Sequence, residues 1–129
     1  MTKGEIAKRN FESGLNCAQA VLLAFKEEMG MDEMVLKKLI IGFGGGFARQ
    51  RYVCGAVSGM TMVLSYLKSD GEDKLACYAI VKDACEKVKQ ELGSIVCSEL
   101  MQDSVNGKPK RPCGEICQIV ADITSQYLK

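Results

Sequence analysis

The sequence contains no histidine and no tryptophan among its 129 residues, and it has only two prolines. Without histidine there can be no Ser-His-Asp triad, no Cys-His nucleophile pair, no histidine-ligated zinc and no haem attached through a Cys-x-x-Cys-His motif. Polar catalysis would therefore have to come from Cys, Asp, Glu, Lys, Arg or Tyr. Because the two prolines are Pro109 and Pro112, most of the chain is free to form helices.

An excess of charge of one sign is also absent, since 17 basic and 16 acidic residues leave a net charge of +1. This balance provides no field that would attract nucleic acid or an acidic lipid surface, so we expect no nucleic-acid partner. The longest uncharged stretch, residues 52–67, is shorter than the ~20 apolar residues of a membrane span, and the N-terminal residues lack the apolar run of a signal peptide. We therefore expect a soluble, cytoplasmic protein without a membrane span.

Helical periodicity is abundant, and 47% of the residues are hydrophobic. A chain of this length can bury a core without disulfides, so we expect a single domain over residues 1–129. The fold class predicted is all-α, a single-domain helical bundle of about five to seven helices. Helices are predicted over residues 3–12, from an Asn16 cap to residue 28, from an Asp32 cap to the glycine-rich stretch, over 54–67, 71–92 and 97–101, and through 116–127, with an exposed loop over 103–112.

The glycine-rich stretch has the sequence Gly42-Phe43-Gly44-Gly45-Gly46. Four glycines in five positions make a helix too costly in backbone entropy, so we expect a tight turn. The stretch is not a phosphate-binding loop, because it lacks the Gly-Lys-Ser/Thr ending and follows a predicted helix instead of a strand.

Seven cysteines are the other abundant feature. In a reducing compartment they start as thiols, so cysteines with a function are expected to be redox-active or metal-binding rather than structural disulfides. The first turn of a helix has unpaired N–H groups and the positive end of the helix dipole, which stabilise a thiolate and lower its pKa from ~8.5. Four cysteines lie within about one turn of a predicted helix start: Cys17, Cys54, Cys97 and Cys117. Four such helix starts that face one centre would form a thiolate cluster without histidine.

Cys54 is the strongest candidate for a reactive thiolate, because it begins a nearly uncharged helix and has Arg49 and Arg51 within five residues. These cations and the free amides of the turn are expected to lower its pKa. The alternative is an ordinary small buried cysteine after a tight turn. The next residue, Gly55, lies one helical turn before Gly59, and this spacing predicts the close approach of another helix.

The remaining cysteines have weaker patterns. Cys113 lies four residues before Cys117, so the two face the same way if the last helix begins early enough, and they could then share a metal or a disulfide. Cys77 and Cys85 lie inside the apolar stripe of the long helix predicted over residues 71–92. We expect both to be core residues.

The order of these motifs resembles the C-GCAxxG-C-C family of small proteins, whose redox role is inferred from their cysteines. The resemblance spans nearly the whole chain and rests on Cys17, the glycine-rich stretch, Cys54-Gly55-Ala56-Val57-Ser58-Gly59, Gly93-Ser94-x-x-Cys97 and Cys117-x-x-Val120. The family name writes Gly-Cys-Ala where this chain has Cys-Gly-Ala. The resemblance implies a small helical protein, often linked to transporter genes, with Cys17, Cys54, Cys97 and Cys117 as its signature cysteines. Cys113 competes with Cys117 for the last place.

Thiol redox chemistry is the leading hypothesis, with Cys54 as a low-pKa thiolate and Cys17, Cys97 or Cys117 closing a disulfide with it in a partly apolar pocket. The partner would be a redox protein or a small thiol or disulfide, and no cofactor would be required. One alternative is a metal site in which the same four thiolates hold a zinc ion or an iron–sulfur cluster, although the chain has no Cys-x-x-Cys pair. Another is a non-enzymatic module that binds a small ligand. The uncharged helix predicted over residues 54–67 also leaves a homodimer open as an alternative to a monomer.

Overall fold

The computed structural model describes all residues from 1 to 129, of which 64% are helical. Its eight α-helices are α1 (Lys3–Glu12), α2 (Cys17–Leu23), α3 (Lys26–Met29), α4 (Glu33–Ile40), α5 (Gly55–Lys68), α6 (Lys74–Leu92), α7 (Cys97–Leu100) and α8 (Cys113–Gln126). A 3-10 turn, Ile41–Phe43, follows α4, and a two-stranded antiparallel sheet of β1 (Ser104–Val105) and β2 (Lys108–Pro109) precedes α8. The all-α prediction is thus right in outline. The helices number eight instead of five to seven, and the small sheet was not predicted.

Local hydrogen bonds determine where three of the first helices begin. Thr2 caps α1 and exchanges two hydrogen bonds with Glu5, and Asn16 caps α2 in the same way with Gln19. Asp32 caps α4 by accepting from two backbone N–H groups of its first turn. All three starts agree with the predictions, because each depends on residues within three positions of the cap.

The helix predicted from Asn16 to residue 28 is in fact two helices. α2 ends at Leu23, and Phe25 leaves the helical region with φ −110° and ψ 17° before α3 begins. The Phe25 side chain is nevertheless fully buried. A buried apolar residue at a bend keeps the spacing typical of a continuous helix, so the sequence pattern did not reveal this break.

The loop predicted over residues 103–112 contains the small hairpin of β1 and β2. Its two-residue turn is Asn106-Gly107, with φ of 48° and 80°, as type I′ hairpin turns require. After this hairpin, α8 begins at Cys113, ahead of the apolar stripe from which it was predicted.

The centre of the fold is α2, in which residues 18–23 are all buried. It packs against α1, α4, α5 and α8. A Cβ on Gly59 of α5 would lie 2.9 Å from the carbonyl oxygen of Ala18. The predicted close approach of another helix to this glycine is therefore confirmed. No helix combines the length and the apolar character needed to cross a membrane.

Candidate functional site

A cavity of about 170 Å³ lies where the first turns of four helices meet. A cysteine from the start of each of α2, α5, α7 and α8 lines it: Cys17, Cys54, Cys97 and Cys113. The rest of the lining consists of glycine, apolar and cationic residues: Gly45, Gly55, Leu100, Met101, Pro112, Ile116, Arg51, Lys110 and Arg111. The cavity therefore combines four thiols with positive charge, and no carboxylate lines it.

Close packing of α2 on α5 and on the glycine-rich turn positions Cys17. Its neighbour Asn16 donates a side-chain hydrogen bond of 2.9 Å to the carbonyl oxygen of Ile41. A Cβ on Gly44 would lie 2.5 Å from the Asn16 side chain, and a Cβ on Gly55 would lie 2.9 Å from the sulfur of Cys17. Glycine at these two positions thus leaves the room in which Asn16 and Cys17 lie.

A short antiparallel pairing joins the segments that carry Cys54 and Cys97. It is centred on an isolated bridge between Val53 and Val96. The backbone N–H of each cysteine donates to a carbonyl of the other segment, at 2.8 Å for Cys54 and 2.6 Å for Cys97. The two cysteines thus directly follow the bridged pair of valines, and both line the cavity.

The glycine-rich stretch forms the tight turn that was predicted, and its unusual backbone continues beyond the glycines. Residues 45–49 all have φ between 53° and 76°, and Arg51 has φ 68°. Each non-glycine residue in this left-handed region costs roughly 1–2 kcal/mol. A Cβ on Gly46 would lie 3.0 Å from the Cβ of Cys97. The turn therefore packs directly against one of the cavity cysteines.

Arg51 contacts one of the cavity thiols. Its Nη1 donates to the sulfur of Cys97 at 3.7 Å, and its side chain lines the cavity. Arg49, the other arginine predicted to tune Cys54, is exposed and is not part of the lining. Of the two arginines, only Arg51 contacts a cavity cysteine, and that cysteine is Cys97.

The pKa of Cys54 is set by its burial. Cys54 caps α5, where the backbone N–H groups of Ala56 and Val57 favour its thiolate, as predicted from the helix start. The residue is only 5% exposed, however. Removal from water, with a smaller contribution from the neighbouring thiol Cys17, raises the pKa of Cys54 to about 12. The prediction of a low-pKa thiolate at Cys54 is therefore wrong.

Cys113 and Cys117 lie on the same side of α8, because the helix begins early enough for the four-residue spacing to act. They lie at different depths. Cys113 is exposed at the cavity, whereas Cys117 is fully buried and its sulfur lies 3.9 Å from the carbonyl oxygen of Cys17. Burial raises the pKa of both thiols, and the nearby Cys17 adds to the effect. The sequence-predicted residue Cys117 is thus close to Cys17 but does not line the cavity.

The cysteines of α6 are not part of this arrangement. Cys85 is half-buried and packs against the hydrophobic core, which agrees in part with its prediction as a core residue. The same prediction is wrong for Cys77, which is half-buried outside the core, with its sulfur 3.8 Å from the hydroxyl oxygen of Ser65. Neither residue lines the cavity.

The metal alternative requires at least three ligands that face one point. No group of three or more Cys, Asp or Glu side chains in the structure is arranged to hold a metal ion. The four thiols predicted as zinc or iron–sulfur ligands, Cys17, Cys54, Cys97 and Cys117, therefore do not form a preorganised site of that kind.

Two cavity residues, Lys110 and Arg111, were missed in the sequence. They end the loop that contains the hairpin, and the backbone N–H of Lys110 donates to the carbonyl of Asp103 at 2.9 Å. A signal was available, since this basic pair directly precedes Pro112-Cys113. It was not recognised because the last helix was expected to begin later.

Comparisons with known proteins agree with the motif order. The family described as "Putative redox-active protein (C_GCAxxG_C_C)" matches residues 15–127, a range that includes all seven cysteines. An uncharacterized protein of Archaeoglobus fulgidus is 28% identical, in an alignment that covers 100% of this chain and 97% of that relative. No solved structure matches the chain.

Proposed function

The chain belongs to the C-GCAxxG-C-C family, and from this premise we propose that it exchanges thiols and disulfides in the cysteine-lined cavity. The observation that carries the proposal is the convergence of four cysteines, from four helix starts, on one cavity with cationic residues in its wall. We also propose a cytoplasmic location, because thiols are kept reduced there.

Cys97 is the attacking thiol in this proposal. It is half-buried and lines the cavity, so a small substrate can reach its sulfur. Arg51 donates to that sulfur at 3.7 Å, so a cation lies next to the sulfur that would react. Burial instead raises the pKa of Cys54 and of Cys113. The attacking role that the sequence assigned to Cys54 therefore passes to Cys97.

Cys54 is the second thiol, which resolves the intermediate. The pairing around Val53 and Val96 ties its backbone segment to that of Cys97, and both residues line the cavity. The negative charge of a Cys97 thiolate is one of the causes that raise the pKa of Cys54. Once Cys97 has entered a disulfide that charge is gone, so Cys54 loses its proton more readily.

The reaction balances as an exchange between a dithiol and a disulfide. The Cys97 thiolate attacks one sulfur of a substrate disulfide, and a mixed disulfide forms while the first substrate thiolate leaves and takes a proton from water. Cys54 gives its proton to water and attacks the Cys97 sulfur, and the second substrate thiolate leaves as the Cys54–Cys97 bond forms. Two electrons pass from the protein dithiol to the substrate, which becomes two thiols. Two molecules of a reduced thiol reverse these steps, because they supply two electrons, become joined as a disulfide and restore the protein dithiol.

Trapping of the mixed disulfide tests this assignment. Under anaerobic conditions, Cys54→Ser treated with 2-hydroxyethyl disulfide should accumulate one bound half of the reagent on Cys97, measured by intact mass and peptide mapping. Cys97→Ser should form no such adduct in the cavity. Cys113→Ser is the matched control, because it removes another cavity thiol and should complete the exchange like the unmodified chain.

Two outcomes would contradict the proposal. One is an adduct that accumulates in Cys113→Ser or Cys17→Ser but not in Cys54→Ser. The other is a bound metal or iron–sulfide mass on protein purified without oxygen, which would support the metal alternative.

A further inference from the structure

Positive charge is concentrated at the cavity without any acidic partner. Arg51, Lys110 and Arg111 line it, and none of the three takes part in a salt bridge of the protein. The whole chain carries a net charge of only +1, so the excess is a property of this region. Like charges held together repel one another, and an anionic ligand would relieve that repulsion.

The backbone holds these cations in place. The N–H of Arg51 donates to the carbonyl of Gly45 at 3.1 Å, and the carbonyl of Arg51 accepts from the N–H of Ser98 at 3.2 Å. Lys110 is tied through its backbone to Asp103. The backbones of Arg51 and Lys110 are therefore already fixed beside the cavity, which limits the main-chain entropy lost when a charged ligand binds.

The size of the cavity limits what can enter. Its volume of about 170 Å³ is close to that of a cavity that accepts a benzene-sized molecule, and it is below the roughly 300–1,000 Å³ of typical ligand pockets. A short apolar segment with its sulfur atoms fits inside. Charged groups of the same molecule would remain at the mouth, where Lys110 is exposed and Arg111 is half-buried.

We propose, on the basis of the thiol–disulfide function above, that the substrate is a low-molecular-weight disulfide that carries anionic groups. Its sulfurs enter the cavity and reach Cys97, and its carboxylate or phosphate groups contact Lys110 and Arg111. Arg51 would lie beside the reacting sulfurs, since it lines the cavity and contacts Cys97.

Three small disulfides of similar length and different charge test the proposal: dithiodipropionate as the dianion, 2-hydroxyethyl disulfide as the neutral compound and cystamine as the dication. We expect reaction rates to fall in that order, with the anion about a hundredfold faster than the cation at low ionic strength. Each rate is divided by that of free 2-mercaptoethanol with the same disulfide, which removes the intrinsic effect of reagent charge.

The double variant Lys110→Ala/Arg111→Ala should reduce the preference for the anion at least tenfold. Lys38→Ala/Lys82→Ala is the matched control, because it removes the same charge from exposed residues outside the cavity lining, and it should keep the preference. Equal normalised rates for the three disulfides, or the same preference in both double variants, would overturn the proposal.

The test separates this inference from the function on which it rests. If the three disulfides react at equal normalised rates and Cys97→Ser abolishes all three reactions, the substrate class is wrong and the dithiol chemistry stands. If Cys97→Ser reacts as fast as the unmodified chain, the proposed function itself fails.

Discussion

The two groups of cysteines in this protein have different surroundings. Cys54 and Cys97 belong to the group in which each cysteine stands at a helix start and lines one cavity with cations in its wall. Cys77 and Cys85 lie within α6, outside that lining, against a serine hydroxyl and the core. The difference shows that the number of cysteines does not identify the site. The site is identified by the convergence of helix starts, together with a cation that contacts one of the thiols.

A second contrast lies inside the cavity itself. Cys54 and Cys97 are both at helix starts, yet burial raises the pKa of Cys54 to about 12 and Arg51 contacts only Cys97. A helix start alone therefore does not make a reactive thiolate, because the cost of removing charge from water exceeds the effect of two backbone N–H groups.

The largest expected effect comes from Gly46→Ala, which disrupts the glycine-rich turn that packs against a cavity cysteine. Gly46 has φ 76°, and a Cβ there would lie 2.6 Å from a backbone nitrogen of Tyr52. Strain and overlap together should lower the free energy of unfolding by about 3 kcal/mol or more, measured by urea denaturation. Gly42→Ala is the matched control, because it adds a Cβ to the same stretch with nothing within 4 Å. Equal stability of the two variants would contradict this packing.

Alkaline pH should destabilise the protein through its buried thiols. The unfolded thiol ionises near pH ~8.5, whereas folded Cys54 ionises only near pH 12. Between these values the folded state keeps a proton that the unfolded state has lost, so the free energy of unfolding falls by about 1.4 kcal/mol per pH unit for each such thiol. Below the unfolded pKa no loss is expected. Cys117→Ala should remove one thiol's share of the slope, as measured by urea denaturation from pH 8 to 11.

Arg51→Gln should change the reactivity of Cys97 without changing the reactivity of the two cysteines of α6. Loss of the guanidinium should lower the rate at which iodoacetamide alkylates Cys97 at pH 7 by about tenfold, because the cation that contacts the reacting sulfur is removed. The rates at Cys77 and Cys85 should not change, and Arg49→Gln should behave like the unmodified chain. Peptide mass spectrometry after timed alkylation provides the rates. An unchanged rate at Cys97 would show that the contact with Arg51 does not make this sulfur more reactive.

The smallest effect is expected from Cys77→Ser on α6. Its sulfur already lies 3.8 Å from the hydroxyl oxygen of Ser65, so a hydroxyl at this half-buried position finds a polar neighbour. Stability should change by less than about 1 kcal/mol, and oxidation of the cavity thiols should be unaffected. A loss of redox activity in this variant would remove the distinction between the two groups of cysteines.

The sequence predicted those features of the fold that depend on interactions between residues close together in the chain. The starts of α1, α2 and α4 follow from caps at Thr2, Asn16 and Asp32, each complete within a few residues. The bend at Phe25 was not predictable from the same pattern, because an apolar residue at a buried bend continues the helical periodicity.

The candidate site was predictable in its residue types and less so in its geometry. Cys17, Cys54 and Cys97 were named from helix starts, but the depth of Cys54 depends on packing between helices far apart in the chain. The contact of Arg51 with Cys97 joins residues 46 positions apart, and no local rule reports it. The choice of Cys113 over Cys117 as the cavity residue depends on where α8 meets α2.

Disulfide mapping after limited oxidation tests the central claim most directly. The unmodified chain, reduced and then treated without oxygen with one equivalent of a small disulfide, should lose about two mass units as two thiols become one disulfide. Peptide mapping should then find the bond between Cys54 and Cys97, with Cys77 and Cys85 still reduced. A disulfide that involves either cysteine of α6, or no intramolecular disulfide at all, would contradict the account.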